Sequence, residues 1–61
     1  MEEEELTFKV NKNALYAQYP NQYVVIYSEE ILGVEDNFED AMLLGKNVLG
    51  EKSFLVKQIL S

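Results

Sequence analysis

A chain of 61 residues is one domain at most, and it buries only about 60% of the surface its unfolded form exposes. It has no cysteine and no histidine, which excludes disulfides, Cys/His zinc sites, thiol catalysis and His-assisted serine catalysis. Eleven acids against five lysines, with no arginine, give a formal charge of −6, so direct binding of nucleic acid is not expected.

Glu2 to Glu5 are four like charges in a row, read as a solvated, flexible tail over residues 1–5. The single domain then covers 6–61. This acidic start is unlike the basic start of a signal peptide, and no apolar run approaches the about 18 residues of a membrane span. A cytoplasmic protein without membrane contact is expected. Leu6-Thr7-Phe8-Lys9-Val10 alternates apolar and polar with period two, which predicts a first strand with Leu6, Phe8 and Val10 inward.

Asn11 and Asn13 are each able to cap a helix start, so one or two helical turns are predicted over Ala14 to Gln18. Pro20 ends them, because the residue before a proline is pushed out of the α region. Tyr19-Pro20-Asn21-Gln22 fits a type I turn. Tyr23-Val24-Val25-Ile26-Tyr27 follows, rich in β-branched and aromatic residues, and predicts the central strand over Gln22 to Ser28. Tyr23, Val25 and Tyr27 point to one face, Val24 and Ile26 to the other. A tight reversal at Ser28-Glu29-Glu30 leads into a return strand, Ile31 to Val34. Gly33 within it suggests a bulge or the close approach of another backbone.

Asp36 with Glu39 three residues on has the form of a capping box, opening a helix that runs to about Leu49. Gly50 stands where a left-handed stop is needed. Phe38, Ala41, Met42, Leu44, Gly45, Val48 and Leu49 share one arc of this helix, and Leu43 falls among the polar residues. Gly45 on the apolar arc costs about 1 kcal/mol relative to alanine, which close packing of the helix on the sheet would justify. Ser53 to Leu60 predicts a last strand.

The expected fold is α+β, in the order β-α-β-β-α-β. A three- or four-stranded, mainly antiparallel sheet carries the helices on one face. Val24 and Ile26 would be covered by the longer helix, leaving Tyr23, Val25 and Tyr27 as an uncovered face open to a partner. Glu29 and Glu30 would form an acidic edge, and Leu43 is either an ordinary exposed leucine or a side chain that inserts into a partner or a second copy. Tyrosine clustering at Tyr16, Tyr19, Tyr23 and Tyr27 suits core packing or a protein interface. Without basic neighbours it does not suit base stacking.

Tyr19-Pro20, Tyr23-Val24-Val25-Ile26, Glu35-Asp36-Asn37-Phe38-Glu39-Asp40-Ala41 and Phe54-Leu55-Val56 together resemble the prokaryotic domain-of-unknown-function family numbered 5678. Glu29-Glu30 departs from the Asp-Gly often found in that family's hairpin. Gly33 to Leu49 is similar, at the level of fold, to the strand-to-helix part of HicB-type antitoxins. Both resemblances imply a small partner-binding protein and no catalytic residue. The expected function is a small acidic, non-enzymatic protein-binding module, antitoxin-like or regulatory, without cofactor or metal. It would meet a protein partner, a second copy of itself, or both. The alternative is an acidic inhibitor that mimics nucleic acid and occupies the groove of a nucleic-acid-binding protein.

Overall fold

The computed structural model describes residues 2–60. Met1 of the expected tail and Ser61 of the expected domain lie outside the described residues. The order is α1 (Glu2–Gln18), β1 (Tyr23–Tyr27), β2 (Glu30–Glu35), α2 (Phe38–Leu49) and β3 (Leu55–Gln58). The class is α+β, with a three-stranded antiparallel sheet in the order β2-β1-β3.

The largest correction falls at the start of the chain. The strand expected at Leu6 to Val10 is helical, the expected short helix is its continuation, and Glu2 to Glu5 form its first turn. Asn11 and Asn13 lie inside α1 rather than at its cap. Five alternating residues are too short a window to separate a strand from a helix that buries every third or fourth side chain. Phe8 and Leu15, seven apart, both turn toward the sheet and make the helical period. Four glutamates in the first turn suit the positive end of the helix dipole. The Asn11 side chain donates to the Thr7 carbonyl at 2.8 Å, within the helix.

The second correction concerns layers. α1 and α2 each contact all three strands and do not touch each other, so they cover opposite faces. Val24 and Ile26 form one core with Leu15 and Ile59, joined by Phe8, Val34 and Leu55 beneath α1. Val25 shares the other face with Gly33 and Val56, beneath α2. Val24, Val25 and Ile26 are all 0% exposed. Reading Leu6 to Val10 as a strand, with only a short helix over Ala14 to Gln18, removes the long helix that covers the second face, which is why Tyr23, Val25 and Tyr27 look open in the sequence.

Chain reversals follow from local chemistry. Asn21 has a φ of 68°, and Gln22 N–H donates to the Tyr19 carbonyl at 3.3 Å. A positive φ after Pro20 is the signature of a type II turn, not the expected type I, and asparagine tolerates it. Tyr27 pairs with Glu30, so the hairpin loop is Ser28-Glu29, with Ser28 at a φ of 55°. The pairing shifts between Val25–Gly33 and Ile26–Ile31, which leaves Leu32 as an extra residue. That is a bulge beside Gly33, as the glycine suggested. Close approach there comes from a side chain, not a backbone. A Cβ on Gly33 would lie 2.8 Å from Leu44 Cδ2 of α2.

The N-cap of α2 is Asn37, one residue later than expected, with φ −139° and ψ 164°. Its side-chain oxygen accepts from Asp40 N–H at 2.8 Å, and its amide donates to the Asp40 carboxylate at 3.1 Å. At the other end Gly50 N–H donates to the Lys46 carbonyl at 2.9 Å, with a φ of 66° and a ψ of −118°. The close packing implied by Gly45 comes from Phe54, whose ring occupies the space a Cβ would need. Past β3, Ile59 N–H donates to the Gln22 carbonyl at 2.7 Å, which draws the buried Ile59 into the core.

Candidate functional site

The hairpin turn is where distant parts of the chain meet. Ser28 N–H donates to Glu4 Oε2 at 2.7 Å, and Ser28 Oγ donates to Glu3 Oε2 at 2.8 Å. The Thr7 hydroxyl lies 2.9 Å from the Ser28 carbonyl and 2.8 Å from that of Glu3, and its one proton serves either. The first turn of α1 therefore grips the tip of the hairpin. The Ser28 N–H holds the Glu4 carboxyl below its ordinary value, and Glu4's own N–H acts in the same sense against a small opposing effect of burial.

Two concavities flank this tip. One is polar and lined by Glu2, Glu3, Glu4, Tyr27 and Ser28. The other, of about 470 Å³, lies between the hairpin and the C-terminal end of α2. Its walls are Tyr27, Leu32, Val48 and Leu49, and Glu29 and Glu30 stand at its lip. Val48 is 57% exposed, a large apolar side chain turned to solvent at the groove. Lys52 Nζ sits over the Tyr27 ring, 5.8 Å from its centroid. Glu2, Glu3, Glu4, Glu29 and Glu30 thus gather at one end of the molecule, although the two segments are 25 residues apart.

The six residues singled out from the sequence fall into four settings. Tyr27, Glu29 and Glu30 come together at this groove. Tyr23 is half-buried, with its ring 6.0 Å from Phe38 in an edge-to-face pair at 74°. Val25 lies beneath α2 and has no exposed surface, which corrects its place on an open sheet face. Leu43 is 56% exposed, as its position among polar residues implied, and lines a shallower groove with Phe38, Glu39, Met42 and Lys46. Leu32, Val48 and Leu49 were missed as site residues. Val48 and Leu49 fall within the apolar arc of α2, which reads as core, and nothing in the sequence places β2 beside them.

Apolar walls gain from burying an aliphatic or aromatic group, and an acidic lip favours a cation beside it. Among the described residues, no group of three or more acidic side chains is arranged to hold a metal ion. Among the same residues, no helix is long and apolar enough to cross a membrane. Comparison with protein-family models, with curated proteins and with solved structures returned no match.

Proposed function

We propose that the protein is a small acidic, non-enzymatic binding module, regulatory in role, that takes a basic-apolar segment of a protein partner in the groove at its hairpin end. One observation supports this reading above the others. Val48, Leu49, Leu32 and Tyr27 form an apolar wall directly beside Glu29 and Glu30. An apolar centre with a charged rim is how small interfaces combine affinity with choice of partner. The partner's matching segment carries a large apolar side chain next to lysine or arginine.

The test is capture from a native extract by the full chain and by two variants, Val48→Glu and Glu29→Lys/Glu30→Lys. All three sites are exposed, so circular dichroism should show the variants folded like the parent. A bound protein that both variants lose supports the groove. A bound protein that both retain removes it. Salt separates this reading from mimicry of nucleic acid. A groove with apolar walls loses affinity modestly as salt rises, whereas a mimic that binds by charge pairing loses it steeply and is displaced by duplex DNA.

A further inference from the structure

A second surface lies on the outer side of α2. Phe38, Met42 and Lys46, spaced four apart, form one row along the helix, and Glu39 and Leu43 form the row beside it. Together they line the shallower groove, away from Ala41 and Gly45, which are buried on the sheet side. Phe38 and Leu43 are each more than half exposed. The groove is an apolar strip with one acid toward the N-terminal end of the helix and one base toward its C-terminal end. Among the described residues, neither Glu39 nor Lys46 has an ion-pair partner within the chain.

The occupant that matches this pattern is the same groove turned end to end. Along the chain, the midpoint between Glu39 and Lys46 falls between Met42 and Leu43. A two-fold axis at that point brings acid against base and apolar against apolar. We infer that α2 packs antiparallel on α2 of a second copy, with Glu39 of each facing Lys46 of the other across a centre of Met42 and Leu43. In that register Leu43 meets the second copy's Leu43, and Met42 meets its Met42. Phe38 lies against the aliphatic stem of the second copy's Lys46. Parallel copies would instead set Glu39 beside Glu39 and Lys46 beside Lys46, and like charges oppose that pairing. The two-fold symmetry makes the Glu39–Lys46 pair twice, so both charges of each groove are matched. Leu43, exposed among polar residues, then has the second copy as its neighbour.

Sedimentation equilibrium from micromolar to millimolar protein should show a monomer–dimer equilibrium. It is run at about 0.15 M salt, where repulsion between two chains of charge −6 is largely screened. Leu43→Glu should abolish the dimer and leave the far-UV circular dichroism unchanged, because that side chain is exposed. Glu39→Lys alone and Lys46→Glu alone should each weaken it about tenfold, since both pairs become like-charged. Mixing these two variants should restore it, because the mixed dimer again sets opposite charges against each other. The register is read with a carbodiimide, which joins a carboxylate to an amine as an amide and takes up the water as a urea. Within one chain Glu39 and Lys46 are two turns apart, about 10.5 Å, too far for that bond. A mixture of isotopically light and heavy chains should yield Glu39–Lys46 links between light and heavy peptides. A monomer at millimolar concentration would overturn the inference. So would a dimer that Leu43→Glu leaves intact, a dimer without that link, or no recovery on mixing. None of these residues lines the hairpin groove, so loss of dimer and loss of the captured partner are separate outcomes.

Discussion

Replacing Val25 by alanine tests the two-layered cover of the sheet directly. The side chain is 0% exposed and sits beneath α2, with Val56 and Gly33 as its cross-strand neighbours. Two buried methyl groups are lost. At about 0.8 kcal/mol each, the transfer contribution is about 1.6 kcal/mol, and the cavity raises the loss to about 2–3 kcal/mol. At about 0.05–0.15 kcal/mol per residue, the total stability of this chain is about 3–9 kcal/mol, so the loss is a large share of it. The melting temperature should fall by about 10–20 °C. Urea unfolding followed by far-UV circular dichroism at low micromolar protein measures this against Val10→Ala. That side chain is exposed, and its removal should change stability by no more than about 0.5 kcal/mol. The Val25 loss should not depend on protein concentration, because α2 of the same chain covers the site. Equal, small losses for both variants would refute the placement of α2 on that face.

Gly45→Ala should destabilise despite a helix-propensity gain of about 1 kcal/mol, since the new methyl meets the Phe54 ring. Adding Phe54→Ala should then cost less than it does in the parent, a coupling read from a double-mutant cycle of denaturant midpoints. Asn37→Ala should lose about 1 kcal/mol by the same assay, and Asp36→Ala clearly less, because the cap is Asn37. The pH dependence of the Glu4 contact has a fixed sign. Its folded pKa lies below the unfolded one, so its contribution is complete above the ordinary carboxylate range and is lost as pH falls through the folded value. Glu4→Gln should therefore lower the urea midpoint at pH 7 and leave it unchanged in strong acid. A deficit that persists in acid would show that the charge is not what matters at Ser28.

The elements legible in the sequence were those whose signals are local. Asp36, one residue before the actual cap Asn37, and Gly50 bracket a helix with one apolar arc, and the Val-Ile-Tyr run between Pro20 and Glu29 marks a strand wherever it lies. The α1 region was ambiguous because Phe8 and Val10 satisfy a period of two over five residues, while Phe8 and Leu15 satisfy a helical period over a longer span. Burial decides between them, and burial depends on strands that come later in the chain. The same dependence governed the site. Tyr27, Glu29 and Glu30 were visible as neighbours along the backbone. Leu32, Val48 and Leu49 join them only because the Leu32 bulge and the exit of α2 bring two segments side by side. The grip of Glu3, Glu4 and Thr7 on Ser28 was hidden for another reason. A run of four glutamates reads as solvated until a backbone N–H is found within reach.

Strand order has a consequence for how wide the sheet can become. β2 and β3 are both edges, and each would offer its backbone to a foreign strand if it were flat and apolar. On β2 the extra Leu32 breaks the even spacing of donors and acceptors that a new strand would have to match. On β3 Lys57 turns toward α1, with its Nζ 5.7 Å from the Phe8 ring centroid and within reach of Glu5. A strand added beside β3 would crowd this lysine and strip water from its charge. Amyloid-like stacking and strand exchange are thereby disfavoured at both borders, in a chain whose central strand, Tyr23 to Tyr27, is uncharged and rich in β-branched and aromatic residues.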